Sequence, residues 1–524
     1  MSGSVMTAAE WFIQGLQQRG VRWLATLCGH GLDPLYQAAR RAGLRLVDVR
    51  NEQTAGYMAG SAGRLTRRPS VVAVSSGVAH ANALSGVVDA WMDGAPMLLV
   101  SGAAALRTRG MGHFQDLDQV ALAAPVTRYA RLIDHPERVL QLLDEAFTAA
   151  VEGPGPVHLT FPMDIQTAEV SAEALVRPNC RPCTRVHGGD PEAAAYALAC
   201  ASRPLIIAGS GVYYAGESEA LAEFCERFAI PFQIPIWDRG CADRPAESFM
   251  GVIGAATGGP RLLADADCLV MAGAAPDYRL GYLQPGAVAQ GAAIVHLTSG
   301  WRELASAYER AGGRAHREWL AVARRRRDEF RRAAWRSGEH QAAGRTHAIH
   351  IIRALREVIG DETILLIDGG SIGQWAHQLL CDRYPGHWLT CGRSAVVGWG
   401  LAGAMAARLE RPDAPVILLS GDGAFTFAVA ELECAVRQGL HFVAVVADDQ
   451  GWGITRVGHL EKFGEPIASS LGPIAFDRLA EAMGARGLRV DQPESIGPAL
   501  EKALAERVVS VVHVPIAGGN PSGC

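Results

Sequence analysis

A chain of 524 residues, 49% hydrophobic and 20% charged, is too long for one core and too apolar to stay disordered; it divides into about three domains of ordinary size. The formal net charge of -5 leaves no excess of cations to neutralise phosphates, which argues against nucleic acid as a partner. No apolar run approaches a membrane span, and Met1-Ser-Gly-Ser-Val5 lacks the basic start and apolar block of a secretory signal, so a cytoplasmic address is expected.

Along the chain, short β-branched runs alternate with longer stretches of helical period, the pattern of parallel α/β domains. Strands are expected at residues 23–27, 44–49, 70–74, 97–100 and 157–161, within a first domain over 1–170. A linker at 167–189 holds the one tight cysteine pair, Cys180 and Cys183. They lie in a Pro-rich polar stretch, Arg177-Pro-Asn-Cys-Arg-Pro-Cys183, and read as reduced linker thiols rather than a redox or zinc site. A central domain over 188–335 has expected strands at 204–208, 230–234, 268–272 and 293–297. The arginine-rich run 324–332 reads as a solvated helix rather than an anion-binding patch. The last domain, 345–524, has expected strands at 363–368, 387–390, 415–420, 442–447 and 509–514. The fold class is therefore α/β, with three doubly wound parallel-sheet domains. Lysine is confined to Lys462 and Lys502, neither in a cofactor-like motif, which argues against pyridoxal chemistry and its obligatory Schiff base.

In open parallel sheets ligands bind beyond the carboxyl ends of the strands. Two such ends carry acidic, glycine-bearing turns: Ser420-Gly-Asp-Gly-Ala-Phe425 and Ala447-Asp-Asp-Gln-Gly-Trp-Gly453. One helix, expected at 427–438, and one strand separate them, and a strand–helix–strand unit returns the chain to the same edge of the sheet. Two carboxylates and a backbone carbonyl at one point suit a hard cation such as Mg²⁺. Gly421 and Gly423 leave room for a diphosphate, whose oxygens complete the metal shell.

Gly421-Asp-Gly423 followed at this distance by paired polar residues and a glycine resembles the fingerprint of the thiamine-diphosphate enzymes. The second metal ligand of that family is usually Asn, in an Asn-Asn pair; here the pair is Asp448-Asp449. The resemblance implies Asp422, Asp449 and the Gly451 carbonyl as Mg²⁺ ligands, with Ala424 and Trp452 beside the cofactor. It covers essentially the whole chain and is densest at 44–165 and 360–455. In Val49-Arg-Asn-Glu-Gln-Thr-Ala-Gly56, Glu52 follows a strand, where apolar company suits a carboxyl to share a proton. The family resemblance gives it a partner in N1′ of the cofactor's aminopyrimidine. Cys391-Gly-Arg-Ser-Ala-Val-Val-Gly-Trp-Gly400 looks like the loop that supports the bent cofactor, with Val397 between the rings and the Ala395 carbonyl accepting from the 4′-amino group. Asp368-Gly-Gly-Ser371 matches the loop that contacts the diphosphate through Gly370 and Ser371.

Within the family the chain is most similar to the acetolactate synthase, benzaldehyde lyase and 2-hydroxyacyl-CoA lyase group. His113-Phe-Gln-Asp-Leu-Asp-Gln119 places Gln115 at that group's active-site glutamine, whose amide can bond a substrate carbonyl without titrating. Departures give further candidates. Gly77-Val-Ala-His-Ala-Asn82 stands where relatives have Gly-Pro-Gly, which brings in His80, either to face the cofactor or to serve the structure, and Asn82 as a cofactor contact. Leu27-Cys-Gly-His-Gly-Leu32 resembles the benzaldehyde lyase loop, but the catalytic histidine falls on Gly31, one place from His30, so His30 is a candidate proton shuttle. His113 and His377 are further candidates, and Gln374, Cys391, Trp452 and Ile454 are expected pocket walls.

Ala208-Gly-Ser-Gly-Val-Tyr-Tyr-Ala-Gly216 in the central domain could cradle FAD or ADP, but relatives that bind neither carry the same turn, so FAD is not expected. The sequence given ends soon after its last expected strand, which lowers the weight of a CoA substrate. The resemblance implies a cofactor shared between the first domain of one subunit and the third of another, hence at least a homodimer and a tetramer by expectation. It implies a carboligase or lyase acting on 2-keto acids or 2-hydroxy ketones through an enamine, with 2-hydroxyacyl-CoA lyase as the alternative. A NAD oxidoreductase leaves Glu52 and the Asp422/Asp449 pair unexplained, and a non-catalytic descendant would have no need of Glu52 or Gln115.

Overall fold

Apolar runs buried on both faces form parallel sheets covered by helices, and all three sets of strands do so in the computed structural model of this chain, which describes residues 5–176, 188–239, 246–254, 259–384 and 386–521. The first sheet runs, edge to edge, Arg45–Asp48, Trp23–Leu27, Ser70–Val74, Met97–Ala103, Pro156–Pro162 and Ala130–Leu132. The central sheet runs Phe249–Ile253, Phe232–Pro235, Pro204–Ala208, Cys268–Ala272 and Ala293–His296. The third runs His387–Leu389, Ile364–Asp368, Val416–Gly421, Val443–Asp448, Ser510–Pro515 and Arg486–Arg489. Every ladder in the three is parallel. Numbered along the chain, the strands of the first and third sheets share the order 2-1-3-4-6-5. The order reverses between strands 1 and 3, where ligands bind such sheets.

The chain forms two compact units: Met1–Val186 with Leu401–Pro412 and Glu433–Gln438, and His187–Gly400 with Asp413–Leu432 and Gly439–Cys524. The first sheet belongs to the first unit, together with a short antiparallel ladder of Val5–Thr7 on Glu169–Ser171. The other two sheets belong to the second unit and share one hydrophobic core, which includes Trp301, Trp375 and Trp388.

Besides the short ladder of Val5–Thr7 on Glu169–Ser171, three strands of the parallel sheets were not expected from the sequence. Ala130–Leu132 and Arg486–Arg489 are edge strands, where arginines reach solvent and break the apolar pattern. Phe249–Ile253 is fully buried but interrupted by Gly251, at φ +104°. The helix expected at 427–438 begins only at Glu431, after a separate short helix, Asp422–Thr426. The arginine-rich run lies in the helix Arg317–Ala342, and its side chains pair with the chain's own acids: Arg324 with Glu247, Arg326 with Asp265 and Arg331 with Asp382. Cys180 and Cys183 lie outside the described residues. No described helix is long and apolar enough to cross a membrane.

Candidate active site

The switch point of the third sheet is built from the ends of Ile364–Asp368 and Val416–Gly421. Gly369, at φ +124°, passes so close that a Cβ on it would come within 2.7 Å of the Gly421 nitrogen. Buried Asp368 ends its strand and accepts bonds from the Gly398 N–H (3.1 Å) and the Gly400 N–H (2.8 Å). That carboxylate pins the loop carrying Ala395 and Val397, with Ala395 at φ +53°. Gly370, Ser371, Ala395, Val397, Gly421, Asp422, Gly423, Ala424, Asp449, Gly451 and Trp452 line one cleft of about 260 Å³. Every cofactor and metal position expected in the last domain is thereby brought together.

Within the cleft Asp422 accepts a 3.0 Å bond from the Gly451 N–H. Burial first, then the charges of Asp449 and Asp448, push its carboxyl up to about 7. Asp449 is also raised, chiefly by burial, against the opposing pull of Arg456, whose guanidinium sits 3.1 Å from its carboxylate. A buried carboxyl raised by burial and by the charge of a second carboxylate beside it fits a hard divalent cation with oxygen ligands. No group of three or more His, Cys, Asp or Glu side chains able to hold a metal occurs among the described residues. The remaining ligands would then be a backbone carbonyl and diphosphate oxygens, for which Gly421 leaves space, since a Cβ there would meet nothing within 4 Å.

Two expectations are refined. Gly423 is glycine because of Trp452, whose indole would lie 2.8 Å from an added Cβ. The Ser371 hydroxyl, expected to face diphosphate, bonds Asn520 Oδ1 at 2.7 Å and the Gly519 carbonyl at 3.1 Å, so the last described residues reach the cofactor loop. Of the expected walls, Cys391, Trp452 and Ile454 line the cleft, and Gln374 does not. His377 is buried elsewhere, bonded to the Tyr384 hydroxyl and held down at about 3 by burial.

Several residues here were missed. Asp448 is not among the cleft-lining residues; it bonds buried His513 at 2.9 Å, and His513 in turn bonds Asp477 at 3.0 Å. Burial lowers the affinity of this imidazole for a proton, but the two carboxylates more than offset it and raise its pKa. Arg456 shows in the sequence only as a basic residue shortly after the acidic turn. Trp237 enters the cleft from the central domain and had no motif around it.

In the first unit, Glu52 opens the helix Glu52–Thr66 behind the N-cap Asn51. This helix crosses Val78–Asp93 at Gly56 and Gly86, so closely that a Cβ on Gly86 would lie 2.5 Å from the Gly56 backbone. The crossing sets the Asn82 amide 3.1 Å from the Glu52 carboxylate. At the switch point of this sheet, the Ser75 hydroxyl bonds the His30 carbonyl at 2.5 Å and the Ser76 hydroxyl bonds Gln115 Oε1 at 3.0 Å. Gln115 is held at φ +54°, and the His30 ring stacks on His113 at 5.8 Å. Gln115, His30 and His113 therefore form one cluster. His80 does not join it: it is fully buried, bonds Ser101 at 2.7 Å, packs on His158, and is lowered to about 4 by burial.

Three parallel sheets, with paired carboxylates and an open glycine at a switch point, define an enzyme that binds a diphosphate group. The chain belongs to the thiamine pyrophosphate enzymes: their N-terminal TPP binding domain matches residues 6–122, their central domain 191–312 and their C-terminal TPP binding domain 368–514. It is similar to the acetolactate synthase large subunit IlvG of Mycobacterium tuberculosis, 29% identical over 97% of this chain and 95% of the relative. It is also similar to the catabolic acetolactate synthase of Raoultella terrigena, at 26% over 97% and 94%. Human 2-hydroxyacyl-CoA lyase 2 is 27% identical over 97% of this chain and 88% of the relative.

Proposed function

We propose that the chain is a Mg²⁺-dependent carboligase or lyase that makes or breaks the bond beside a carbonyl in 2-keto acids or 2-hydroxy ketones. The observation that carries this reading is the meeting of Asp422, Asp449 and open Gly421 in one cleft with the Asp368-pinned loop of Ala395 and Val397. Asp422, Asp449 and the Gly451 carbonyl would hold the cation, and Gly370, Ser371 and Gly421 the diphosphate. Thiamine diphosphate, when bound, supplies an electron sink at its thiazolium carbon. Glu52 would hold the proton shared with the aminopyrimidine, and Asn82 positions that carboxylate. The Gln115 amide would bond the substrate oxygen, and His30 would carry a proton. The apolar cleft walls exclude water. His80, enclosed in its own unit, is assigned a structural role.

Domain limits of 1–170, 188–335 and 345–524, a cytoplasmic address and a homodimer or tetramer complete the reading. 2-Hydroxyacyl-CoA lyase is the second reading, supported by the human relative. Incubation with thiamine diphosphate and Mg²⁺, offering pyruvate, benzoin and 2-hydroxyacyl-CoA thioesters with products identified by mass, separates the two; no turnover of any would refute both.

A shared site has its own test. Glu52→Gln and Asp422→Ala are each expected to abolish turnover, while mixed dimers regain activity, up to about half per dimer if each site draws Glu52 from one subunit and Asp422 from the other. Mixed dimers as inactive as either variant alone would rule out sharing.

A further inference from the structure

Trp237 is required by neither the cation nor the diphosphate, yet it lines the cofactor cleft from the central domain. Its backbone sits at φ +71°. For a bulky side chain this left-handed conformation is an outlier that persists only where the surroundings enforce it, and such residues gather at functional sites. The enforcement is visible on both sides. The Ile236 carbonyl accepts a 2.7 Å bond from buried Arg279, and the Trp237 carbonyl accepts a 2.9 Å bond from the Thr390 hydroxyl. Asp238 is ion-paired with Arg279 at 2.6 Å and accepts from the Ser210 N–H at 3.1 Å. The Arg239 N–H donates to the Ser210 hydroxyl at 2.7 Å. Four successive residues are thus clamped, and the one side chain among them that the clamp leaves facing the cleft is an indole.

What that indole faces is apolar. Cys391, Val396 and Ile454 share the cleft wall, and the Tyr278 ring, 6.5 Å from Trp237, extends the aromatic surface. Among the described residues, the only charged side chains lining this cleft are Asp422 and Asp449, at the cation end. We propose that Trp237 is a specificity-determining residue, an aromatic wall that selects carbonyl substrates bearing a flat apolar group, aryl above methyl, at the carbon next to the carbonyl. The inference rests on the function proposed above and names its substrate class. An aromatic ring gains from offset or edge contact with another ring, and an apolar pocket separates substrates by the surface it buries.

The test uses the enzyme loaded with thiamine diphosphate and Mg²⁺ and two pairs of substrates matched in charge: benzoylformate against pyruvate, and benzoin against acetoin. The parent is expected to favour the aryl member of each pair. Trp237→Gly and Trp237→Ala should lower the aryl-to-methyl ratio of kcat/KM by at least about tenfold, mainly through KM, and Trp237→Phe should keep it within about threefold. Thiamine diphosphate affinity, measured by calorimetry, should stay within about threefold in all three, which separates a wall from a cofactor ligand. Glycine also relieves the left-handed backbone, so the Tm of Trp237→Gly should be no lower than that of Trp237→Ala. A merely structural tryptophan would instead lose stability without changing the ratio. A parent that prefers the methyl substrates, or ratios within twofold of the parent in both truncations, overturns the inference while leaving the carboligase reading intact. If the parent turns over none of the four, that reading fails, and calorimetric titration of benzoylformate and pyruvate into the loaded protein decides here. Tighter binding of benzoylformate that Trp237→Gly abolishes supports the wall, and equal or absent binding removes it.

Discussion

The turn Gly209-Ser-Gly211 follows the strand Pro204–Ala208 in the central domain, and Gly421-Asp-Gly423 ends the strand Val416–Gly421 in the third. Read as letters they are near twins, and both stand where parallel sheets bind phosphates. Their surroundings differ. A Cβ on Gly209 would lie 2.5 Å from the Ala274 Cα and 2.6 Å from the Asp238 carboxylate, and one on Gly211 would lie 2.8 Å from Gly273. The central turn is closed by the chain itself, with Asp238 taking the Ser210 N–H and Arg279 balancing the charge. A nucleotide phosphate arriving there would meet a carboxylate. At Gly421 there is open space, beside two acids raised first by burial and, at Asp422, next by the charges of Asp449 and Asp448. A glycine pair after a strand therefore signals close approach, and only the neighbouring charges tell whether the visitor is a ligand or the protein's own backbone.

The contrast is broken most directly at its acids. Asp422→Asn should weaken Mg²⁺-supported binding of thiamine diphosphate by more than about 100-fold, since changes even outside the ligand shell cost 10–100-fold. The same variant should help the cation-free fold. The Asp422 carboxyl is raised from 3.8 to about 7 in the folded chain, so the folded state holds its proton more tightly than the unfolded state does. Its contribution to stability therefore falls as pH rises between those values and is flat above them. Melting of cation-free parent and variant from pH 4 to 8 should show a steeper fall in the parent, since Asp449 and His513, also raised, keep part of it in the variant; equal profiles would remove the electrostatic account.

Asp238→Asn makes the reverse bargain. It leaves Arg279 with Asp277 alone and should cost about 3 kcal/mol of stability, with cofactor affinity within about threefold of the parent. Thermal melting and calorimetry together check it. Binding of ADP or FAD by the variant but not the parent would mean that the central turn is a nucleotide site held shut by Asp238.

The legibility of the chain follows the same line. Strands buried on both faces could be read because the sheet demands unbroken apolar runs, and Asp422, Asp449 and Gly421 because two acidic turns after strands point to one edge. Glu52 was readable as a position, but its bond to Asn82 depends on a helix crossing set by Gly56 and Gly86, far apart in sequence. Asp368 was seen as part of a loop, and its clasp on Gly398 and Gly400 was not, because a carboxylate bonding backbone N–H groups has no partner residue type to look for. His80, which the sequence leaves open between the cofactor and a structural role, shows the opposite difficulty. A histidine in a glycine-rich turn suggests exposure, whereas the helix Val78–Asp93 turns it into a buried contact with Ser101 and His158.

The smallest and sharpest test exchanges only hydrogen for methyl. Neither Gly209, at φ -104°, nor Gly421, at φ -80°, has a backbone that alanine would resist, so any effect of substitution must come from what the methyl touches. Gly209→Ala drives that methyl into the Ala274 backbone and the Asp238 carboxylate, a crowded and rigid pair of neighbours, and should cost about 1–3 kcal/mol of stability with little change in cofactor affinity. Gly421→Ala places it in open space, so stability should stay within about 0.5 kcal/mol of the parent. Its methyl should instead crowd a bound diphosphate and weaken thiamine diphosphate roughly tenfold. The two variants are expected to fall on opposite axes of a plot of stability against cofactor affinity. If Gly421→Ala lost stability and kept its affinity, the space beside Gly421 would not be where the diphosphate lies. If Gly209→Ala kept its stability, the central turn would not be sealed by its own chain, and the distinction between the two turns would collapse.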